Sequence, residues 1–549
     1  MKGALVAPLV FVALAFACAA SRLGYVTPWA VSALALAAAG GTRPVSSNAL
    51  SWLSLAVLGY ALLVASHALF IGTAYTPAGL YLPLLLALGF IVARRFDDRG
   101  LRTAAITAIG LGALLGTWGL VQIGPTGMAR AQAIFETPAT YAAVLNLLLV
   151  PVLALGIAAR RRAAMLAVGG LLAAGLFAAD SRGGLIALAA GMGAATIFSI
   201  RANRFRWRNL GLALAMLATG WAVATALRAW PSPELPVPTG EARAESSLSR
   251  LELYSLSWNA WRERPLAGTG YLTFRHTLEQ GRAQVPSYGE ANETWFVHND
   301  YMQTLQELGP LGLVALLALA WLPALVAYRR IPALRVDQQP AAIAAASALT
   351  AMACHALVDF PFYIPVCLLL YGALLGLLDR QLDARRVALV PGWKSQPWYR
   401  AARTGAVLVA ALILLRPVVA EAAAEWGLRK SVAGDGHGAA FWLGAARRIE
   451  PADWRYHWYA GQFWDAQAMG SSRREAANLA ADAFTAGFDA NPLEVRNLLG
   501  MISVHRRHRA LLDSPADRGT LQAWLARAEV LAPFNREVRG ERALLEIAK

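Results

Sequence analysis

The chain is 549 residues long, 57% hydrophobic and only 15% charged, with a formal net charge of +16. Soluble domains carry about 25% charged residues, so a purely soluble protein is excluded. Disordered and collagen-like chains are excluded too, since they need low hydrophobicity or a glycine period. A polytopic membrane protein remains, with enough length for an added soluble domain.

The basic excess does not point to nucleic acid. Residues 421–549 hold 17 Lys+Arg against 16 Asp+Glu, which leaves 33 against 18 for residues 1–420. That surplus falls in short clusters between apolar runs, the pattern of cytoplasmic loops. The three cysteines, Cys18, Cys354 and Cys367, lie in apolar runs without metal-ligand spacing. Neither a disulfide framework nor a zinc site is expected.

Apolar runs of about 15–20 residues read as membrane helices. They cover 4–20, 26–40, 49–71, 77–93, 103–123, 140–159, 163–179, 184–200, 210–229, 309–328, 340–358, 364–378 and 402–420. The first run also fits a cleavable signal peptide, with Lys2 before it and Ala17-Cys18-Ala19-Ala20 at its end. A first membrane helix is favoured, because apolar sequence resumes almost at once. Basic clusters follow the even-numbered runs: Arg94, Arg95, Arg99 and Arg102; Arg160, Arg161 and Arg162; Arg201, Arg204, Arg206 and Arg208; Arg329, Arg330 and Arg335; Arg380, Arg385, Arg386 and Lys394. These loops and the N-terminus are therefore expected in the cytoplasm.

The opposite face receives short loops at 124–139 and 180–183, a long loop at 230–308 and the tail from 421. The last run is interrupted by Arg416, and if it does not cross, the tail is cytoplasmic instead. Within the tail, Pro451, Pro492 and Pro533 recur at a spacing of 41, each after an Ala/Leu-rich stretch. Helix pairs punctuated by proline suggest a tetratricopeptide-like array, although the usual period is about 34. The expected fold is all-α: a polytopic bundle of about 12–13 transmembrane helices over 1–420, with a helical-repeat domain over 421–549.

Charged residues next to membrane helices on the face away from the basic loops are site candidates, because burying charge there is costly. Arg130 precedes the sixth run, and Arg182 lies in the tight turn Asp180-Ser181-Arg182-Gly183-Gly184. Arg250 precedes the amphipathic stretch 253–261. Each is explained by pairing with a local acid (Glu136, Asp180 or Glu252) or by snorkelling. Three on one face suggest a phosphate ligand, which the arginine fork suits.

The densest constellation is Val297-His298-Asn299-Asp300-Tyr301-Met302-Gln303, followed by Glu307-Leu308-Gly309. If helical, it places His298 and Met302, and likewise Gln303 and Glu307, one turn apart. A neutral His298 can accept a proton from an attacking hydroxyl, with Asp300 or Glu307 to orient it. The plainer reading is a helix start capped by Asn299 or Asp300, and both can hold. His355 and Asp359 read first as a structural hydrogen bond or cap. Gly268-Thr269-Gly270 stands outside any strand–helix unit and carries no nucleotide signal.

In order along the chain these features resemble the O-antigen ligase superfamily, which includes O-antigen polymerases and pilin-type protein O-oligosaccharyltransferases. Arg130…Phe135-x-x-Pro138 is similar to the family's Arg…Phe-x-Asn-Pro-Asn segment, with Thr137 and Ala139 replacing the asparagines. Ser181-Arg182-Gly183-Gly184 is similar to its Ser-Arg-Gly turn, and Arg250…Trp258…Arg264-Pro265-x-x-Gly268 to the start of its large periplasmic loop. His298-Asn299-Asp300-Tyr301…Glu307-x-Gly309 resembles its signature helix, and Asp359-Phe360-Pro361 a later segment.

The resemblance implies a glycosyltransferase of the bacterial inner membrane, with its site and tail facing the periplasm. It would move a glycan from an undecaprenyl-diphosphate carrier to an acceptor hydroxyl, inverting the anomeric centre. It assigns the diphosphate to Arg130, Arg182 and Arg250, catalysis to His298, and support to Asn299, Asp300, Gln303 and Glu307. No metal or other cofactor is implied. The acceptor would be a glycolipid or glycan, as in ligases and polymerases; a protein serine or threonine is the runner-up. A lipid-glycan transporter or a scaffold is a different class, and would not need His298. The repeats suggest a protein partner, and no nucleic acid is expected.

Overall fold

The structure is a computed structural model that describes residues 49–67, 76–96, 98–158, 163–230, 240–286, 294–382, 387–388, 397–471 and 473–547. The expected spans 4–20 and 26–40 lie outside the described residues. The fold is all-α, apart from a two-residue antiparallel pairing of Ala49–Leu50 with Val387–Ala388.

The first helices are α1 (Trp52–His67), α2 (Thr76–Arg95), α3 (Asp98–Ile123), α4 (Pro138–Ala158), α5 (Ala163–Ala179), α6 (Arg182–Arg201) and α7 (Trp207–Arg228). The long loop contains α8 (Gly240–Glu263) and α9 (Phe274–Gly281). The chain then re-enters the bundle as α10 (Asp300–Arg330), α11 (Gln339–His355) and α12 (Pro365–Leu382). Among the described residues six helices are long and apolar enough to cross a membrane; α3, α4, α6, α7 and α12 are five, and Asp300–Ala333 is the sixth. Trp52–His67, Leu82–Arg94 and Ala167–Ala179 are shorter apolar helices.

Packing follows residue size. α4 is apolar on every side and almost wholly buried, the behaviour of a central helix. Beside it runs α11, whose alanine-rich sequence is buried along most of its length and packs on α4 and α6. Small residues let helix backbones approach closely, which is what drives association where lipid removes the hydrophobic force. The α2–α12 contact is the clearest case. A Cβ on Gly89 would collide with the Leu369 carbonyl, and one on Gly372 with the Leu86 carbonyl.

The two ends of the bundle differ. Arg94 pairs with Asp379 at 3.1 Å, Arg380 pairs with Asp98 at 2.5 Å, and Arg204 donates to Gln339 at 2.9 Å. All lie at the ends of α2, α6 and α12 that carry the basic loops. Arg182 begins the helix that Arg201 ends, and Asp300 begins the helix that Arg330 ends. The candidate site and the basic loops therefore occupy opposite ends.

α13 (Pro397–Val432) leads into the tail: α14 (Gly436–Ile449), α15 (Trp454–Ser471), α16 (Arg474–Ala490), α17 (Val495–Arg507), α18 (Arg518–Leu531) and α19 (Arg536–Ile547). The 41-residue repeat is a repeat of structure. Each proline follows the end of a helix (α14, α16 or α18), because the residue before proline is disfavoured in helical geometry. Two positions later Asp453, Glu494 and Asn535 each accept a hydrogen bond from the backbone N–H two residues on, at 3.0, 3.4 and 2.8 Å. Each such residue starts the next helix. Ahead of each proline, Leu443, Phe484 and Leu525 are buried at one position, and Ala446, Gly487 and Ala528 at another. Arg416, which breaks the apolar run, is held by Glu450 through a two-pronged contact of 3.0 and 3.2 Å.

The tail packs on the long loop. Trp454 shares a cluster with Leu272 and Trp295, and Arg275 of α9 lies 4.0 Å from Glu494 while its guanidinium covers Trp295. The tail is thus on the same side of the bundle as the candidate site.

Candidate functional site

His298 is not helical. It has φ 61° and directly precedes Asn299, the N-cap of α10, whose side-chain oxygen accepts from Met302 N at 3.0 Å. The turn expected to join His298 to Met302 therefore begins two residues later. Left-handed backbone is costly for a residue with a Cβ and gathers at functional sites. Here it turns the imidazole out of the helix line. Tyr254 of α8 fixes the turn by donating its hydroxyl to the His298 carbonyl at 3.0 Å.

The imidazole is oriented by Asp359, not by Asp300 or Glu307. His298 Nδ1 donates to Asp359 Oδ1 at 3.4 Å, and His355 Nε2 lies 3.7 Å from Oδ2. Asp359 also accepts from Phe360 N at 3.1 Å. Burial opposes its charge, yet the hydrogen bond from His298 and the charge of the two nearby imidazoles outweigh burial and hold the carboxyl below its ordinary range. Phe360 stacks on Phe296 at 4.1 Å and meets the His298 ring edge-on at 5.0 Å. His298 keeps a quarter of its side chain exposed, with Nε2 left for a second partner.

The two acids expected to serve His298 are committed elsewhere. Asp300 is fully buried and accepts from Phe362 N at 2.8 Å, tying the start of α10 to the segment after Asp359. Glu307 is also fully buried and accepts four bonds: from Leu272 N at 2.9 Å, Phe274 N at 3.1 Å, Tyr363 Oη at 2.9 Å and Gln303 Nε2 at 3.0 Å. Gln303 in turn accepts from Val297 N at 3.0 Å, beside His298. These residues hold the loop, α10 and the α11–α12 connection together.

The Gly268-Thr269-Gly270 stretch belongs to the same framework. Gly309, with φ 68° and ψ −169°, breaks α10, and Pro310 has no N–H to offer the Gln306 carbonyl. Buried carbonyls need donors. Thr269 N supplies one to Gln306 at 2.9 Å, and Gly270 N another to Glu307 at 3.0 Å. His67 Nε2 pins this crossing by donating to the Ala267 carbonyl at 2.6 Å.

The arginines reach the dyad through short chains of contact. Ser181 caps α6 by accepting from Gly184 N at 3.1 Å, and leaves Arg182 exposed in the first turn. A Cβ on Gly183 would stand 3.1 Å from His355 Nε2, so the start of α6 abuts the histidine that shares Asp359. Asn146 holds that turn by donating to the Gly184 carbonyl at 2.8 Å. Arg130 donates to the carbonyls of Ala179 and Asp180 at 3.3 and 3.0 Å, directly before Ser181. Arg250 lies one turn before Tyr254 on α8. Burial raises the Tyr254 hydroxyl above its ordinary range, and the charge of Arg250 pulls the other way. α4, α6 and α10 all begin at this end, and their N-termini add positive partial charge.

Sequence spacing alone does not reveal Asp359 as the partner of His298, His355 as the second imidazole on that carboxylate, or Tyr254 as the donor that fixes the turn. Asp359 and His355 were visible as an ionisable pair at a helix end; nothing in sequence spacing joined them to His298, 61 residues away. No group of three or more His, Cys, Asp or Glu suited to a metal occurs among the described residues.

Residues 167–317 match the family model for O-antigen ligase. The match supports the O-antigen ligase superfamily and, in general terms, a membrane enzyme that transfers glycosyl groups. It takes in Arg182, Arg250, His298 and Glu307; Arg130, His355 and Asp359 lie outside it. No curated protein matches the chain.

Proposed function

We propose that the protein transfers a glycan from an undecaprenyl-diphosphate carrier to an acceptor hydroxyl on the periplasmic side of the bacterial inner membrane. The observation that carries this reading is the His298–Asp359 pair, set at the start of α10 among three arginine-bearing segments. Asp359 fixes the proton on Nδ1 and leaves Nε2 basic. The acceptor O–H attacks the anomeric carbon and gives its proton to His298 Nε2. The bond from that carbon to the phosphate oxygen breaks on the opposite side, so the centre inverts, and lipid diphosphate leaves. Arg182 and Arg250, with Arg130 behind the α6 turn, stabilise the charge that grows on the leaving group. This supplies the positive charge for departure without calling on a metal. Asn299, Asp300, Gln303 and Glu307 hold the His298 turn.

The reading of orientation is supported by the basic loops, since an arginine excess favours the cytoplasm and so argues for a periplasmic opposite end. α13 has 36 residues, about 54 Å at 1.5 Å per residue, and we read it as crossing the bilayer, since the tail meets the loop on the site's side. We read the tail as tetratricopeptide-like: Ala480, Phe484 and Pro492, and Leu521, Leu525 and Pro533, fall at that repeat's second-helix positions. The acceptor we favour is a glycan or glycolipid.

The test compares wild type with His298→Ala in membranes supplied with undecaprenyl-diphosphate glycan, measuring transfer and donor binding separately. Transfer should collapse while binding persists. Undiminished transfer by the variant would overturn the assignment of His298, and donor binding without transfer to any acceptor would favour a transporter.

A further inference from the structure

A cavity of about 930 Å³ opens between the repeat tail and the end of α9. One wall is Glu279 and Arg282, paired at 3.0 Å, from the loop that carries the candidate site. The others come from α15, α16, α17 and α19 of the tail. Its size lies near the top of the roughly 300–1,000 Å³ range of ligand pockets, and it has room for several sugar rings.

The lining has a definite chemistry. Its charges balance: Arg282, Arg496, Arg507 and Arg536 are matched by Glu279, Asp465, Glu537 and Glu541. Gln462 and Asn535 add planar amides, and the half-buried Trp458 and Phe534 add aromatic surface over the buried ring of Phe484. Only Leu499 and Leu544 are aliphatic among the lining residues. Part of the polar wall is held in place. Asp465, buried, accepts from His508 at 2.8 Å and lies 3.1 Å from Arg507. A neutral sugar chain needs this combination, because every hydroxyl both donates and accepts and the C–H face of a ring packs on an aromatic. A polyanion would need net positive charge. A docked helix would need a row of aliphatic pockets, and an added strand would need a sheet edge; the walls are helical and the aliphatic surface is sparse.

Position adds a second argument. The start of α9 donates Phe274 N to Glu307, in the framework under His298, while Glu279 near its other end faces the cavity. Eight residues of helix, roughly 12 Å, join the two. We propose that this cavity is a glycan subsite, holding sugars of the transferred chain distal to the reacting one. The proposal rests on the glycosyl-transfer reading of His298 and adds a binding site remote from the chemistry.

The experiment uses the full chain in lipid nanodiscs. The probe is the free glycan, released by mild acid from the host membrane's lipid-linked pool and labelled at its reducing end. Wild type and His298→Ala should bind it alike. A Gln462→Ala/Glu537→Gln double variant, altered at two exposed side chains so that folding is not challenged, should bind at least about tenfold more weakly. Phe534→Ala should weaken binding independently. Equal binding by wild type and the double variant overturns the proposal, and so does a photo-crosslinker at position 462 that captures polypeptide and no glycan. Because binding is read without transfer, the two readings fail separately. Normal transfer with unaltered binding in the double variant sinks the subsite alone. Cavity-dependent binding without any transfer sinks the catalytic reading alone.

Discussion

Asp359 reaches back to His298 Nδ1 across 61 positions of sequence and 3.4 Å of space, while His355 approaches its other oxygen at 3.7 Å. One carboxylate thus faces two imidazoles, and only the first is open to solvent. Asp359→Asn keeps the size of the side chain and removes its charge. The amide no longer favours Nε2 as the basic nitrogen of His298. Transfer should fall by about 10²–10⁴-fold, the usual worth of general base catalysis, with donor affinity unchanged in a binding assay.

The same substitution has a pH signature in stability. The folded carboxyl of Asp359 is held below the ordinary carboxylate pKa near 3.9. Its contribution is fully present above that value and is lost as pH falls through the lower folded value. Wild type should therefore melt above Asp359→Asn at pH 7, and the gap should close in strong acid. A gap that widens on acidification would contradict the carboxylate assignment.

Glu307 separates support from chemistry. Glu307→Ala leaves the N–H groups of Leu272 and Phe274 buried without acceptors. At about 1–3 kcal/mol for each stranded group, the protein should lose most of its folded yield. Glu307→Gln keeps one acceptor oxygen and should fold at reduced melting temperature. Its transfer rate per folded molecule should remain within about tenfold of wild type, since Glu307 reaches the backbone beside His298 only through Gln303 and does not touch the imidazole. A well-folded Glu307→Gln protein with transfer reduced more than about a hundredfold would move Glu307 into the chemistry.

Much of the bundle was legible in the sequence because apolar runs and basic clusters report directly on membrane helices. α4, α6 and α12 lie close to their expected bounds. The repeat was legible because Pro451, Pro492 and Pro533 recur at one spacing, and each falls just past the end of a helix, whereas Pro83, Pro151 and Pro323 lie inside membrane-type helices and mark no boundary. The partner of His298 was not, because it depends on how α11 ends beside α10, a tertiary fact. The roles of Asp300 and Glu307 were misread for a related reason. Proximity along the chain suggested service to His298, whereas a buried carboxylate goes to whichever backbone donors the fold leaves unpaired. Gly268 and Gly270 carried no signal of their own in the sequence, and their use in crossing a broken helix appears only with Gly309.

His276 offers a titration independent of the dyad. It is buried in α9, and burial, helped by the charge of Arg275, brings its pKa down to about 4 from 6.5. The unfolded chain takes up a proton as pH drops below 6.5, whereas the folded chain resists until about 4. Acidification across that window should therefore destabilise the packing of α9 by up to ~3 kcal/mol. Hydrogen exchange of α9 amides should accelerate between pH 6.5 and 4 beyond the intrinsic trend, and His276→Phe should flatten the response. An α9 equally protected at both ends of the window would place His276 in a more polar setting than its burial indicates.

Gly309 sits where α10 breaks, against the loop that crosses it. Its φ of 68° with ψ −169° lies in a region that side chains rarely enter, at a cost of about 1–3 kcal/mol for a residue with a Cβ. A Cβ there would also collide with the Leu266 carbonyl, and one on Gly268, itself at φ 72°, would lie 2.5 Å from the Glu307 backbone. The two glycines face each other across one crossing, so the loop and the broken helix cannot separate to relieve either clash without giving up the Thr269 and Gly270 hydrogen bonds. Gly309→Ala and Gly268→Ala should each lower thermal stability, and the double variant should cost less than the sum of the two, because the first substitution already opens the contact. Strict additivity of the two melting shifts would mean that the glycines act separately and that the crossing does not hold α10 in its broken form.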